Sequence, residues 1–165
     1  VFAAPYAPPA ARTSATTSTS TGARLAATSP TPSRRPTAAP PVPQGPGALL
    51  ACVPSNRHAL GLRIVADAFE LEGWSVEYLG ADTPARDLLE RIEQTRPRLV
   101  GLSVSMVGQL PQLREIADRI RERLGEDAPR IAAGGLGLVR VAGAADRLGL
   151  DGWYATASAM VEAQK

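Results

Sequence analysis

The sequence predicts an α/β fold in which a five-stranded parallel sheet carries helices on both faces. Three observations predict it. From residue 48 onward, short apolar runs alternate with stripes of apolar residues at helical spacing. The third run, Leu99-Val100-Gly101-Leu102-Ser103-Val104, is nearly continuous rather than alternating, as expected of a strand buried on both faces. Glycine and proline punctuate the joins, at Pro54, Gly73, Pro97 and Gly134-Gly135.

The first strand is Leu49 to Val53, followed by Pro54-Ser55-Asn56. Leu60, Ile64, Val65, Ala68 and Phe69 predict the apolar face of the first helix, and Gly73 stops it. Val76, Tyr78 and Leu79 give a second strand. Thr83-Pro84 reads as N-cap and first helical position, with Leu88, Leu89 and Ile92 as the buried face before Pro97. After the third strand, Leu113, Ile116, Ala117, Ile120 and Leu124 form the clearest helical stripe in the chain. Arg130 to Ala133 is a fourth strand, and a helix through Ala142, Ala145 and Leu148 follows. Asp151 to Tyr154 is a weak fifth strand, and a short helix closes the chain. The alternation predicts a single Rossmann-like (flavodoxin-like) domain over residues 48–165 with right-handed crossovers. That length suffices for one core.

Residues 1–47 differ in kind. Ten prolines, eleven alanines, eight threonines and five serines dominate them, with Arg12, Arg24, Arg34 and Arg35 and no acidic residue. Such a segment buries too little apolar area to offset its ordering entropy. It predicts a disordered low-complexity linker. The net charge of +2 therefore comes from this segment, and the remainder is slightly acidic. That excludes a strongly basic nucleic-acid sleeve. The four arginines read better as part of a solubilising linker than as phosphate contacts. A single cysteine excludes a disulfide framework and a thiolate metal cluster. No signal-peptide apolar region or membrane span is present, which predicts a cytoplasmic protein with no membrane partner. The chain starts at Val1, which predicts a fragment or a C-terminal module, with a processed N-terminus as the alternative.

In an open parallel sheet, ligands bind at the carboxyl ends of the strands. The residues there are Ser55, Asn56, Arg57, His58 and Gly61 after the first strand, Ser103 and Ser105 after the third, and Gly134, Gly135 and Gly137 after the fourth. A dinucleotide site wants G-x-G-x-x-G in the first turn, but VPSNRHALG has one glycine and a proline; Asp82 alone is a weak ribose ligand. A phospho-receiver wants acidic residues after the first and third strands, where Asn56 and Ser103 stand. A hydrolase elbow wants glycine on both sides of its serine, and G-L-S-V-S has it on one side only.

The only histidine, His58, lies on the ligand edge three residues before Gly61. N-R-H-A-L-G (Asn56 to Gly61) resembles the D-x-H-x-x-G signature of the cobalamin (vitamin B12)-binding domain family. L-S-V-S (Leu102 to Ser105) resembles that family's S-x-L, and A-G-G (Ala133 to Gly135) its double glycine. The motifs come in order, 45 residues from His58 to Ser103 and 31 from Ser103 to Gly134. The stretch G-W-S-V-E-Y-L-G-A-D-T-P (Gly73 to Pro84) is most similar to the version in cobalamin-dependent transcriptional regulators and corrinoid methyl carriers.

The resemblance implies that cobalamin binds base-off, with His58 replacing its lower base on cobalt; neutral imidazole suits that metal. It implies that Gly61 lets the nucleotide tail pass the first helix, that Ser103 lines the tail channel, and that Gly134 and Gly135 permit close backbone approach. Two residues depart from the pattern. Asn56 replaces the Asp that would accept the histidine's second hydrogen bond, which predicts a weaker cobalt–histidine bond. Ser105 replaces leucine and makes the channel lining more polar. Each residue also has a plain alternative: His58 a surface or core histidine, Ser103 a turn residue, Gly134-Gly135 a tight turn. Cys52, Trp74, Trp153 and Met106 read as packing residues. Arg114, Glu115, Asp118, Arg119, Glu122 and Arg123 read as a solvated helix face.

The expected function is a cobalamin-binding sensor or regulatory module. Its effector or DNA-binding partner lies outside this chain, and self-association into a homo-oligomer is an allowed output. The alternatives are a corrinoid carrier domain of a methyltransferase and a degenerate domain used only for protein contacts.

Overall fold

The computed structural model describes residues 45–165. The linker expected over 1–47 lies outside these residues as far as residue 44. Five strands, β1 (Gly47–Cys52), β2 (Ser75–Gly80), β3 (Leu99–Ser103), β4 (Arg130–Gly134) and β5 (Gly152–Tyr154), form one sheet in the order β2-β1-β3-β4-β5. Every pairing is parallel. The helices are α1 (Leu60–Leu71), α2 (Ala85–Thr95), α3 (Leu110–Leu124), α4 (Ala144–Arg147) and α5 (Ala157–Glu162). The α/β, flavodoxin-like architecture read from the sequence is the one observed.

Alternation along β1 divides the core. Leu49, Ala51 and Val53 join Val100, Leu102, Ile131 and Ala133 beneath α2 and α3, where Leu88, Ile92, Leu113, Ile116 and Ile120 are fully buried. Leu50 and Cys52 face the other way, against Leu62 and Ala66 of α1. Phe69, Trp74, Met160 and Val161 close that second side, with the Phe69 and Trp74 rings edge-to-face at 5.1 Å. Cys52 is buried as expected, and Trp153 packs half-buried against the first side.

Four local expectations are corrected. Helix α1 buries Leu62, Ala66 and Phe69, while Leu60 (78% exposed) and Ile64 (57%) face outward. The helix is rotated from the expected stripe because Leu62 and Ala66 are the residues that meet Leu50 and Cys52. Thr83 is not the N-cap of α2. Its hydroxyl donates to the Gly80 carbonyl (3.3 Å), and Pro84 occupies the cap position. Met106 is exposed rather than packed. The helix expected through Ala142 and Leu148 contracts to the single turn of α4, entered through Gly143 in a left-handed conformation (φ 63°). On α3 the solvated face is as expected, with Arg114–Asp118 at 2.7 Å and Arg119–Glu115 at 2.6 Å. Among the described residues, no helix is long and apolar enough to cross a membrane.

Candidate functional site

Because the strands are parallel, the segments leaving β1, β3 and β4 meet at one sheet edge. The register places Cys52, Ser103, Gly134 and Tyr154 in one row across the sheet, with Leu50, Gly101, Ala132 and Gly152 forming the row below on the same face. Toward their carboxyl ends, β3 and β4 carry Gly101, Ser103, Ala132 and Gly134 on that face. Larger residues stand on either side: Leu50 on β1 and Tyr154 on β5. The result is a trench in the sheet, walled by α1 and α5.

This trench is a cavity of about 270 Å³, lined by Gly61, Leu62, Ile64 and Val65 of α1 and by Gly101, Leu102, Ser103, Gly134 and Gly135 of the sheet edge. Tyr154, Ala155, Thr156, Ala157 and Met160 complete it, and its walls are mainly apolar. Two of the lining glycines sit where a Cβ would be crowded, Gly101 against side-chain ends and Gly135 against backbone. A Cβ on Gly101 would lie 2.5 Å from Leu50 Cδ2 and 2.9 Å from Met160 Cε. Gly135 adopts φ +114°, and a Cβ there would lie 2.1 Å from the Val104 carbonyl oxygen. A glycine inside a buried strand often marks such an approach, so Gly101 carried a sequence signal that the motif comparison did not use.

The loop after β1 is fastened from two directions. From the β2 side, Asp82 Oδ1 accepts from the Ser55 amide (2.6 Å), and the Asp82 amide donates to the Asn56 carbonyl (2.8 Å). Asp82 (φ 50°) and Ser55 (φ 66°) both take left-handed conformations to do so. Asp82 therefore ties the loop after β1 to the end of β2. From the β3 side, Asn56 is fully buried; its Nδ2 donates to the Ser103 carbonyl (2.8 Å) and hydroxyl (3.4 Å), and its Oδ1 accepts from the His58 amide (3.2 Å). The Tyr78 hydroxyl donates to the Ala59 carbonyl (3.2 Å) and holds the entry to α1.

His58 itself is exposed, and its imidazole makes no hydrogen bond among the described residues. Ser105 is half-buried beyond β3, outside the trench. Its amide and that of Met106 both donate to Gln109 Oε1 at 3.1 Å. Gln109, 7% exposed, is thus a structural anchor of the site edge that no motif signalled. Burial pushes the Cys52 thiol up, partly opposed by the neighbouring Ser103 hydroxyl. The structure so brings Gly61, Ser103, Gly134 and Gly135 into one cavity, with Asn56 beneath its rim, His58 on the adjoining loop and Ser105 apart.

Leu60, Met106, Val107, Leu136 and Val139 are exposed large apolar residues in the segments that follow β1, β3 and β4. They give this edge an apolar surface next to the mouth of the trench. Among the described residues, no group of three or more His, Cys, Asp or Glu side chains is placed to hold a metal ion by itself. The edge offers a metal one imidazole, which suits an ion whose remaining ligands arrive with an organic cofactor.

The chain is 40% identical over 98 residues to the HTH-type transcriptional repressor CarA of Myxococcus xanthus, covering 59% of this chain and 33% of the repressor. It is 27% identical over 113 residues to dimethylamine corrinoid protein 3 of Methanosarcina mazei, covering 68% of this chain and 66% of that protein. The chain thus spans a third to two thirds of the curated relatives it matches. A crystal structure of a cobalamin-binding protein from Desulfitobacterium hafniense superposes with a TM-score of 0.67 at 25% identity, covering 73% of this chain and 58% of that one. The B12 binding domain matches residues 46–158. Cobalamin is the cofactor of this fold unit, and the chain belongs to the B12 binding domain family.

Proposed function

We propose that residues 48–165 are a cobalamin-binding regulatory module, set behind a linker, which holds the corrinoid base-off with His58 as the lower ligand to cobalt. The observation that carries the reading is the glycine-floored trench between α1 and α5, opening beside the loop that bears the chain's only histidine. Bound cobalamin supplies an exchangeable upper ligand whose identity can act as a signal.

The chain's own residues divide the work. Gly101, Gly134 and Gly135 keep the trench floor low enough for a nucleotide tail. Ser103 and Thr156 present the polar side chains of an otherwise apolar lining. The loop fastened by Asp82 and Asn56 presents the His58 ring, which makes no hydrogen bond among the described residues. The apolar edge at Leu60, Met106 and Leu136 suits the flat underside of a corrin. The upper-ligand state is coupled to an effector outside this chain, as a ligand with different affinity for two states must do. Of the two functions named among the relatives cited, transcriptional repression goes with the higher identity, which favours a regulator. The second reading, a carrier domain of a corrinoid methyltransferase, is supported by the match that covers 66% of the dimethylamine corrinoid protein.

An ultraviolet–visible titration with methyl-, adenosyl- and hydroxocobalamin tests the proposal. The expected result is a base-off spectrum with histidine ligation, lost in His58→Ala, whose apo stability stays close to wild type because the ring is exposed and unbonded. An unchanged spectrum in the variant removes His58 from cobalt. A difference in oligomeric state or DNA affinity between adenosyl and hydroxo forms, in the full-length gene product, separates the regulator from the carrier.

A further inference from the structure

We infer that Asn56 is a positioning residue whose carboxamide bolts the His58 loop to the carboxyl end of β3, a task that the family's aspartate cannot perform in this chain. The inference rests on the proposed histidine ligation and deepens it. Asn56 sits where an Asp is expected to accept a hydrogen bond from the histidine ring and raise its basicity. Here both ends of the side chain are committed elsewhere. Nδ2 donates to the Ser103 carbonyl at 2.8 Å, and Oδ1 accepts from the His58 main-chain amide at 3.2 Å.

The partners fix the amide's orientation. The Ser103 carbonyl only accepts and the His58 amide only donates, so a flipped carboxamide would lose both bonds. The side chain is fully buried, so neither bond can be replaced by solvent. An ionised Asp has two acceptors and no donor. At position 56 it would set a charged oxygen against the Ser103 carbonyl, which would keep the Val53 amide at 3.2 Å and lose the donor that Asn56 gives it. The residue that looks like a weakened copy of the motif is the one the local hydrogen-bond pattern requires.

The bolt also acts on the trench. Ser103 lines it, and the longer contact from Nδ2 to the Ser103 hydroxyl (3.4 Å) occupies an acceptor site on that oxygen. The hydroxyl proton is left free to donate. Asn56 thereby links the two strand ends that share the cofactor: the loop of the cobalt ligand and the serine beside the tail. The bond spans 47 residues of sequence and exists only because β1 and β3 pair Cys52 with Ser103.

The test compares wild type, Asn56→Asp and Asn56→Ala, with and without hydroxocobalamin. In the apo wild type, the His58 backbone amide is expected to be protected from hydrogen exchange. Each variant is expected to lower the apo Tm by about 4 °C or more at neutral pH. Asn56→Asp is expected to bind hydroxocobalamin at least about tenfold more weakly, the equivalent of ~1.4 kcal/mol. Its bound form should show a smaller histidine-ligated fraction in the visible spectrum. Tighter binding by Asn56→Asp with an unchanged apo Tm would mean that an acid at this position serves the ring, and would overturn the inference. So would free exchange of the His58 amide in the wild type, a measurement that needs no variant to fold. If the wild type fails to bind hydroxocobalamin, the ligation proposal fails, while the exchange and apo-Tm measurements still decide the role of Asn56.

Discussion

Gly135 shows how one residue can be indispensable to a site without touching its chemistry. Its φ of +114° and the Val104 carbonyl 2.1 Å from a would-be Cβ leave an alanine no comfortable place. Gly135→Ala is expected to cost at least about 1–3 kcal/mol, read as a lower midpoint in chemical denaturation, and to weaken cobalamin binding as the turn after β4 shifts. This position was visible beforehand as part of A-G-G. The role of Asn56 was not, since the sequence shows which residue departs from a motif but not where a buried amide turns. That direction depends on Ser103, which is brought beside it by strand pairing. Gln109 escaped for the same reason: its partners, the Ser105 and Met106 amides, are unremarkable in sequence and matter only because the chain bends there.

At the level of elements, α2 and α3 were legible because a single flat sheet face selects their stripes. Leu88, Leu89, Ile92, Leu113, Ile116 and Ile120 are all buried. Helix α1 was misread in phase. It is apolar on more than one side, since Leu60 and Ile64 belong to the site edge while Leu62 and Ala66 belong to the core. Periodicity cannot tell a face that packs from one that awaits a ligand. The two faces are expected to respond differently. Leu62→Ala should lose about 2–5 kcal/mol of unfolding free energy in urea. Leu60→Ala should lie within about 0.5 kcal/mol of wild type, its side chain being 78% exposed. The reverse pattern, a large loss at Leu60 and a small one at Leu62, would put α1 in the orientation that its sequence stripe suggested.

For the molecule as a whole, the parallel sheet and the number of strands followed from the alternation of apolar runs, while the order β2-β1-β3-β4-β5, which places the first, third and fourth strands side by side, came from the structure. That adjacency is what gathers His58, Ser103 and Gly134 from distant parts of the chain. Binding that favours the folded state raises stability by mass action. At hydroxocobalamin 100-fold above its Kd, about 2.7 kcal/mol of stabilisation is expected. A thermal shift of several degrees in wild type and a smaller one in His58→Ala would register it; identical shifts would assign the binding energy to the trench alone.

The trench is enclosed by the opening and closing helices of the fold, α1 and α5. A cofactor tail lodged there would act as a clasp joining the two ends of the domain. The C-terminal helix is short and rests on Met160 and Val161, with Lys165 reaching Glu72 at 3.3 Å. It should fray readily in the empty protein and be sewn down when the clasp closes. Hydrogen exchange at the amides of α5, fast without cobalamin and slow with it, would then report occupancy.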